Sequence, residues 1–176
     1  MKRLLALFLS ITICIFAVSA ISETASDTTS TGNAIEISPV EDGTVVPFPD
    51  HNFQITLPSD WNVLEITDEQ AHAGIIYSCA NPEGTRTFTV AYSESDTATD
   101  MNSIATELAG TYQNVETLTI NGIPFVSYEI NANDVAGLMT LGSNGIGVYQ
   151  FVFYPASDAD YSSLALQIAA SIDTIE

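Results

Sequence analysis

The sequence predicts an α+β domain built on an antiparallel β-sheet, and three observations support this prediction. Apolar and polar residues alternate in short runs through much of residues 45–176, as they do in strands with one buried face. Two segments, one after residue 100 and one near residue 160, instead carry apolar residues at helical spacing. Asn-Gly pairs separate consecutive strands in the second half, as in tight antiparallel hairpins. Runs of strands with segregated helices are typical of the α+β class.

The first 20 residues have the pattern of a secretory signal peptide. Lys2 and Arg3 form a basic start, residues 4–18 are nearly all apolar, and small residues permit cleavage after Ala20. We therefore expect a secreted, extracellular protein that does not insert into the membrane after cleavage. The alternative is an uncleaved N-terminal anchor at the cell surface, because the apolar segment is just long enough to span a bilayer.

Residues 21–44 are predicted to form an acidic spacer rich in Ser and Thr. They contain no aromatic residue and little that can pack in a core, so we expect a flexible connection. A single domain is predicted to follow at residues 45–176.

The first half of this domain is predicted to contain four strands. Residues 53–57 alternate apolar and polar side chains, and Pro58 ends that strand. Residues 61–66 form the next predicted strand. Residues 75–80 and 87–92 flank an Asn-Pro-Glu-Gly turn, so they are predicted to form a hairpin.

A helix is predicted next, because the apolar residues fall on one helical stripe. The stripe consists of Met101, Ile104, Ala105, Leu108 and Tyr112. Thr99 or Asp100 is predicted to cap the start of this helix, and Gly110 is placed to end it.

Four strands and a final helix complete the predicted order. The strands are residues 115–120, 123–130, 135–141 and 146–154. Asn121-Gly122 and Asn144-Gly145 provide the turns of two hairpins. The last strand is apolar on both faces, which predicts a central position in the sheet. The stripe of the final helix consists of Tyr161, Leu164, Ala165, Ile168 and Ile172. Ser157 or Asp158 is predicted to cap it, with Asp160 in its first turn.

Three segments of the chain resemble PsbP-like domains. Residues 53–61 resemble their opening strand, which is followed by Pro, a small residue and Trp. Residues 121–129 resemble their mid-domain Asn-Gly hairpin, and the closing strand and helix that end at Ile172 resemble their last element. The resemblance covers residues 45–175 and implies a curved antiparallel sheet flanked by helices, an αβα sandwich.

The resemblance also implies a mode of action. PsbP-like proteins include a photosynthetic oxygen-evolving accessory subunit, a nuclear-import accessory factor and bacterial secreted proteins of unknown role. Their shared theme is non-catalytic interaction, so the resemblance implies no catalytic residue to carry over. The present chain differs from the photosynthetic member in its lack of lysines, which argues against docking on an anionic partner.

The charge of the chain excludes several classes of partner. The sequence has 22 acidic and 3 basic side chains, for a formal net charge of −19. Lys2 and Arg3 lie in the predicted signal peptide, so Arg86 is the one cation of the predicted mature chain. Nucleic acid requires clustered Lys and Arg, and anionic membranes or phosphorylated ligands are equally disfavoured. Self-repulsion predicts a soluble monomer.

The residues that usually perform catalysis are scarce. His51 and His72 are the only histidines and are predicted to be solvated at the surface. Cys79, the only cysteine after the signal peptide, lies in a predicted strand and is expected to be a buried, inert thiol. We therefore predict no enzyme activity, no catalytic or cofactor-binding residue, no metal ligand and no cofactor. The alternative is a secreted enzyme or small-ligand binder that uses the Cys79 and His72 region.

A third hypothesis is a calcium-dependent adhesion module. Its candidate ligands are the carboxylates of Glu94, Asp96 and Asp100, or those of Asp158 and Asp160. Neither group follows the calcium-loop pattern, so solvated loop charges and helix-start carboxylates are the favoured interpretation.

Aromatic side chains are the last candidate binding feature. Seven of them are candidates to line a sugar or peptide groove: Trp61, Tyr77, Tyr92, Tyr112, Tyr128, Tyr149 and Tyr154. Most fall at core-facing positions, so packing is predicted for them. The function predicted from the sequence is an exported, non-enzymatic binding or accessory domain. It would act through protein–protein interaction with another extracellular or cell-envelope protein.

Overall fold

The structure of the protein is a computed structural model that describes residues 33–94, 99–142 and 146–175. It confirms the predicted α+β class. The strands are β1 (Asn33–Ile35), β2 (Thr44–Phe48), β3 (Phe53–Leu57), β4 (Asn62–Val63), β5 (Ile75–Ala80), β6 (Thr87–Glu94), β7 (Gln113–Ile120), β8 (Ile123–Ile130), β9 (Val135–Leu141), β10 (Gly147–Tyr154) and β11 (Asp173–Thr174). The α-helices are α1 (Asp68–His72), α2 (Met101–Ala109) and α3 (Ala159–Ala170).

The large sheet has eight strands in the order β1-β7-β8-β9-β10-β6-β5-β4. Among the described strands every pair is antiparallel except β1 with β7. Strand β10 lies between β9 and β6 and is buried over most of its length. The predicted central position of this apolar strand is therefore confirmed.

Hydrophobic residues cover both faces of the large sheet. On one face, α3 and a three-stranded sheet with the order β11-β3-β2 contribute side chains such as Ile55 and Ile168 to one core that also includes Phe151 of β10. On the opposite face, Ile104 and Leu108 of α2 form a second, smaller core with strand residues. The molecule therefore has a helix on each side of its central sheet.

The predicted caps of α2 and the predicted start of α3 are confirmed, although α2 ends before Tyr112 and α3 before Ile172, the last residues of their predicted stripes. The Asp100 carboxylate accepts hydrogen bonds of 3.0 Å from the backbone N–H groups of Asn102 and Ser103, and Gly110 is the C-cap of α2. The Asp158 carboxylate accepts a 3.1 Å hydrogen bond from the backbone N–H of Tyr161 at the start of α3. These contacts satisfy backbone donors that have no partner within the first turn of a helix.

Local turn chemistry determines the hairpins. Asn121 and Gly122 have φ values of 47° and 85°, as the tight turn between β7 and β8 requires, and this predicted hairpin is confirmed. The hairpin of β5 and β6 is also confirmed. The Asn144-Gly145 turn lies outside the described residues, although β9 and β10 on either side of it pair antiparallel.

The strand predicted at residues 61–66 is much shorter in the structure. Only Asn62–Val63 pairs with β5, at the edge of the large sheet. The chain then enters α1, because the Thr67 side chain accepts from the Gln70 N–H while the Gln70 side chain accepts from the Thr67 N–H. This reciprocal capping box favours a helix where the alternation of residues favoured a strand.

The large sheet also begins earlier than the predicted domain boundary at residue 45. Strand β1 pairs with β7, and the Asn121 side chain forms two 2.9 Å hydrogen bonds with the backbone of Ile37. Residues 1–32, which include the predicted signal peptide and the first part of the predicted spacer, lie outside the described residues. None of the helices in the described ranges is long and apolar enough to cross a membrane.

Candidate functional site

A groove of about 370 Å³ lies between α3 and strands β7–β10. We call it the α3 groove. Its floor consists of Ser127, Ala136, Leu138 and Phe153, which belong to β8, β9 and β10. Its wall consists of Tyr161, Ser162, Ala165 and Leu166 of α3. Asn114, Glu116 and Glu129 line its polar end.

Small side chains explain why this space is open. Where α3 crosses the outer strands it presents Ala165 and Ser162, and the floor below presents Ser127 and Ala136. None of these side chains is long enough to fill the gap between a helix and a sheet. The groove therefore follows from the residue volumes at this crossing.

Two carboxylates lie at the polar end of the α3 groove. Glu116 of β7 pairs with Ser127 of β8, and Glu129 lies two residues further along β8 on the same face. Diagonal neighbours of this kind have Cα atoms roughly 7–8 Å apart. The Asn114 side chain donates a 2.6 Å hydrogen bond to Glu129 Oε2, which fixes that carboxylate. Because like charges at this separation repel, this end of the groove favours a cation.

Arg86 holds the start of the groove wall. Its Nη2 and Nε atoms lie 2.6 and 2.8 Å from Asp158 Oδ2, and its guanidinium carbon lies 5.6 Å from the centre of the Tyr161 ring. The Tyr161 hydroxyl donates a 2.6 Å hydrogen bond to the Thr87 carbonyl oxygen. Together these contacts anchor the first turn of α3 to β6.

The charged groups of this anchor pair with each other, since Arg86 and Asp158 form an ion pair. The Tyr161 backbone N–H and the Arg86 guanidinium hold the pKa of Asp158 below its ordinary value. Burial raises the pKa of the Tyr161 hydroxyl, which stays protonated as a donor. Since Arg86 is engaged by Asp158, it does not neutralise the carboxylates at the polar end of the α3 groove.

The structure does not unite Cys79 and His72 in a reactive site. Cys79 is fully buried in the core under α3, and burial raises the pKa of its thiol to about 12. His72 is exposed at the end of α1, where its Nδ1 atom lies 2.6 Å from the carbonyl oxygen of Asp68. The predicted burial of Cys79 and exposure of His72 are both confirmed. A protonated, inaccessible thiol opposes the alternative function assigned to this pair.

His51 differs from its predicted solvated position. It is half-buried, and the centre of its ring lies 4.4 Å from the ring of Tyr92 and 5.6 Å from that of Tyr149. The turn Pro49–His51 before β3 directs this side chain onto the aromatic residues of β6 and β10. The sequence pattern of a polar turn did not indicate that contact.

The two acidic groups proposed for calcium have other roles where they are described. Asp100 caps α2, and Asp158 both caps α3 and pairs with Arg86. Asp96 lies outside the described residues. Within the parts of the chain that the structure describes, no three His, Cys, Asp or Glu side chains are grouped to hold a metal ion.

The predicted packing of the aromatic residues is largely confirmed. Tyr128 and Tyr149 are buried, while Trp61, Tyr77, Tyr92 and Tyr112 pack against the two cores. Tyr154 is the exception, with 40% of its surface exposed. Tyr161, which belongs to the predicted stripe of the last helix, also lines the α3 groove.

Sequence reasoning did not identify Glu116 and Glu129. A usable signal was present, because Glu116 shares a strand face with Leu118 and Ile120, and Glu129 shares one with Phe125. On both strands that face changes from apolar to acidic toward one end. The apolar residues lie in the core, and the acidic residues line the groove at its edge.

Solved structures provide the only similarity found. Neither a protein-family model nor a curated protein matches the sequence. The solution structure of cyanobacterial PsbP from Synechocystis sp. PCC 6803 is similar, with a TM-score of 0.55 and 13% identity over 85% of this chain and 98% of that one. A crystal structure from Bacteroides thetaiotaomicron is also similar, with a TM-score of 0.56 and 16% identity over 77% of this chain.

The Bacteroides protein is longer, and the present chain spans 50% of its length. At these identities the similarity concerns the fold. It agrees with a large, mostly antiparallel sheet flanked by helices, and it confirms the resemblance that the sequence motifs indicated. The chain has a PsbP-like α+β fold.

Proposed function

We propose that this chain is an exported, non-enzymatic binding or accessory domain that holds another extracellular or cell-envelope protein in the α3 groove. The observation that carries the proposal is the groove itself, an open space of about 370 Å³ with a partly apolar floor and an acidic end. Protein-binding surfaces combine an apolar centre with a polar rim in this way.

The lining of the α3 groove supports binding rather than chemistry. The half-buried Ala136 and Leu166 offer apolar surface, while Ser127, Ser162 and two carboxylates offer hydrogen-bonding groups. The residues that line it include no histidine and no cysteine. An open trough with this composition suits an extended segment of a partner protein.

Export is supported by the signal-peptide pattern of residues 1–20. A single buried cysteine is consistent with that location, because the domain relies on its core and needs no disulfide. Mass spectrometry of the protein recovered from outside its native host tests this part of the proposal. A first residue of Ile21 is expected, and a first residue of Met1 would support the anchored alternative.

The PsbP-like fold supports an accessory role by resemblance. One similar structure is a cyanobacterial PsbP, and the resemblance of the sequence to PsbP-like domains implies non-catalytic interaction. The fold alone does not specify a partner.

Site-specific photo-cross-linking in the native host tests the proposed binding surface. A photoreactive amino acid is placed at Ser162, which is exposed on the wall of the α3 groove, and separately at Asn102, which is exposed on α2. We expect a covalent adduct with one envelope or extracellular protein from position 162 and none from position 102.

A groove-filling substitution provides the matched control. Ala136→Tyr places a ring in the floor of the α3 groove, whereas Ala109→Tyr places the same ring at an exposed position at the end of α2. The adduct should disappear with Ala136→Tyr and persist with Ala109→Tyr. An adduct that survives Ala136→Tyr, or that forms equally from position 102, would contradict the proposal.

A further inference from the structure

We infer that the acidic end of the α3 groove receives a Lys or Arg side chain of the partner, while the floor beside it receives an apolar side chain of the same extended segment. This inference rests on the proposed function, because it specifies the chemistry of the occupant of the same groove.

Glu116 and Glu129 project from adjacent strands toward the same face, and Asn114 holds one oxygen of Glu129 at 2.6 Å. This arrangement leaves the second oxygen of Glu129 and the carboxylate of Glu116 for a ligand. A cation between them would relieve their mutual repulsion and form two charge-assisted hydrogen bonds.

The groove lining includes no Lys or Arg, and Arg86 is already paired with Asp158 at 2.6 Å. The remaining basic residues of the sequence, Lys2 and Arg3, belong to the predicted signal peptide. After removal of the predicted signal peptide, the chain therefore offers no unpaired Lys or Arg side chain to these carboxylates, either from itself or from a second copy.

Charge also argues against a second copy as the occupant. A formal net charge of −19 makes two copies repel each other, whereas a basic segment of another protein is attracted to the acidic end of the groove. The occupant is therefore a partner segment with positive charge.

The apolar part of the groove lies beside its acidic end. Ala136 of the floor pairs with Glu129 across β9 and β8, and Leu166 lies in the wall. Ala136 and Leu166 are half-buried, whereas Leu138 and Phe153 of the floor are buried. An extended segment with a basic residue and a nearby apolar residue would match both parts at once. Burial of the apolar side chain adds affinity, and the cation sets the position of the segment.

Peptide binding to the full chain tests this inference. The probe is a fluorescent peptide that alternates Lys with Leu, and the matched probe has the uncharged norleucine in place of Lys. The double variant Glu116→Gln, Glu129→Gln should weaken binding of the Lys peptide by about tenfold, and binding should fall with added salt. The double variant Glu69→Gln, Glu83→Gln changes the net charge equally at exposed positions elsewhere and should have little effect.

Three outcomes would overturn the inference. These are no binding of the Lys peptide, equal binding of the norleucine peptide, or equal weakening by the two double variants. Spermidine distinguishes the source of the cation, because Glu-dependent binding of spermidine without binding of the peptide would indicate a free amine. If the cross-link from position 162 forms and is lost with Ala136→Tyr, the proposed function is supported even when the peptide experiment contradicts the inference.

Discussion

The two main helices cover opposite faces of the same sheet, but α2 closes its face and α3 leaves a groove. The sheet-facing residues of α2 include Ile104 and Leu108, each 3% exposed, which pack with Val126 and Met139. The longer helix α3 also buries Tyr161 and Ile168, but where it borders the groove it presents Ala165 and Ser162 to the strands.

The difference shows that side-chain volume, rather than helix length, decides whether a helix seals a sheet. Large apolar residues on α2 and its strands reach each other and exclude water. At the outer part of α3, alanine and serine lie on both the helix and the floor, so the two surfaces do not meet. The comparison therefore separates a face that is filled by side chains from one that keeps an open groove.

The largest expected difference is in thiol reactivity. Cys79 lies in the closed part of the core under α3 and has a pKa of about 12, whereas Ser162→Cys places a thiol on the exposed wall of the α3 groove. An ordinary thiol has a pKa of about 8.5. At neutral pH the reactive thiolate fraction of the introduced cysteine is therefore on the order of a thousandfold larger than that of Cys79. A disulfide reagent should modify the introduced cysteine quickly and Cys79 only upon unfolding. Rapid reaction of Cys79 in the folded wild type would contradict the sealed packing.

Core truncation provides the next largest effect. Ile104→Ala should lower the free energy of unfolding by about 3 kcal/mol, because the truncated side chain leaves a cavity between α2 and the sheet that the closely packed neighbours cannot fill. Leu166→Ala, at the half-buried wall of the α3 groove, should cost about 1 kcal/mol, since this side chain is only partly removed from water. Urea denaturation measures both values, and equal losses would remove the distinction between the two faces.

Close packing on the α2 side also makes one glycine irreplaceable. A Cβ atom at Gly137 of β9 would overlap the buried ring of Tyr128 on β8. Gly137→Ala should therefore lower the free energy of unfolding by about 2 kcal/mol. Gly110→Ala is the control, because Gly110 has a φ of −73° and a methyl group there meets only ordinary contacts. Its effect on thermal unfolding should be small, and a larger loss at Gly110 than at Gly137 would be inconsistent with the packing described.

The sequence predicts the parts of the fold that short segments specify. The turn residues Asn121 and Gly122 determine the β7–β8 hairpin, and the apolar stripe and cap of α2 mark that helix with its boundary at Ala109. Strand β1 was not predicted, because three residues in a polar segment become a strand only through pairing with β7. That pairing depends on contacts distant in sequence.

The candidate site was less predictable than the fold. Alternation along β8 places Glu129 on the face of Phe125, which is visible in the sequence. The sequence does not show that α3 crosses this face or that Ala165 and Ala136 leave space between helix and sheet. Side-chain chemistry was thus available from the sequence, whereas the groove is a product of tertiary packing.

The smallest expected effect is in the acid titration of the anchor of α3. The folded-state pKa of Asp158 is lowered by the Tyr161 N–H and by Arg86. A carboxylate with a lowered pKa contributes stability that is present above its unfolded pKa of about 3.9 and is lost as the pH falls through the folded pKa. In NMR titration, Arg86→Gln should raise the pKa of Asp158 while leaving it below its ordinary value, since the Tyr161 N–H remains.

Asp100 is an internal control for this titration. Its pKa is lowered chiefly by hydrogen bonds from Ser103, so Arg86→Gln should leave it unchanged. If the pKa of Asp158 did not respond, or if both carboxylates shifted together, Arg86 would not be the specific anchor of the groove wall.

Chemical-shift mapping of the full chain with the Lys–Leu peptide is the most direct test of the α3 groove as the binding surface. Binding should shift the amide resonances of Ser127, Ala136 and Leu166 and leave those of α2 unchanged. Shifts centred on α2, or no shift in the groove at saturating peptide, would contradict the account.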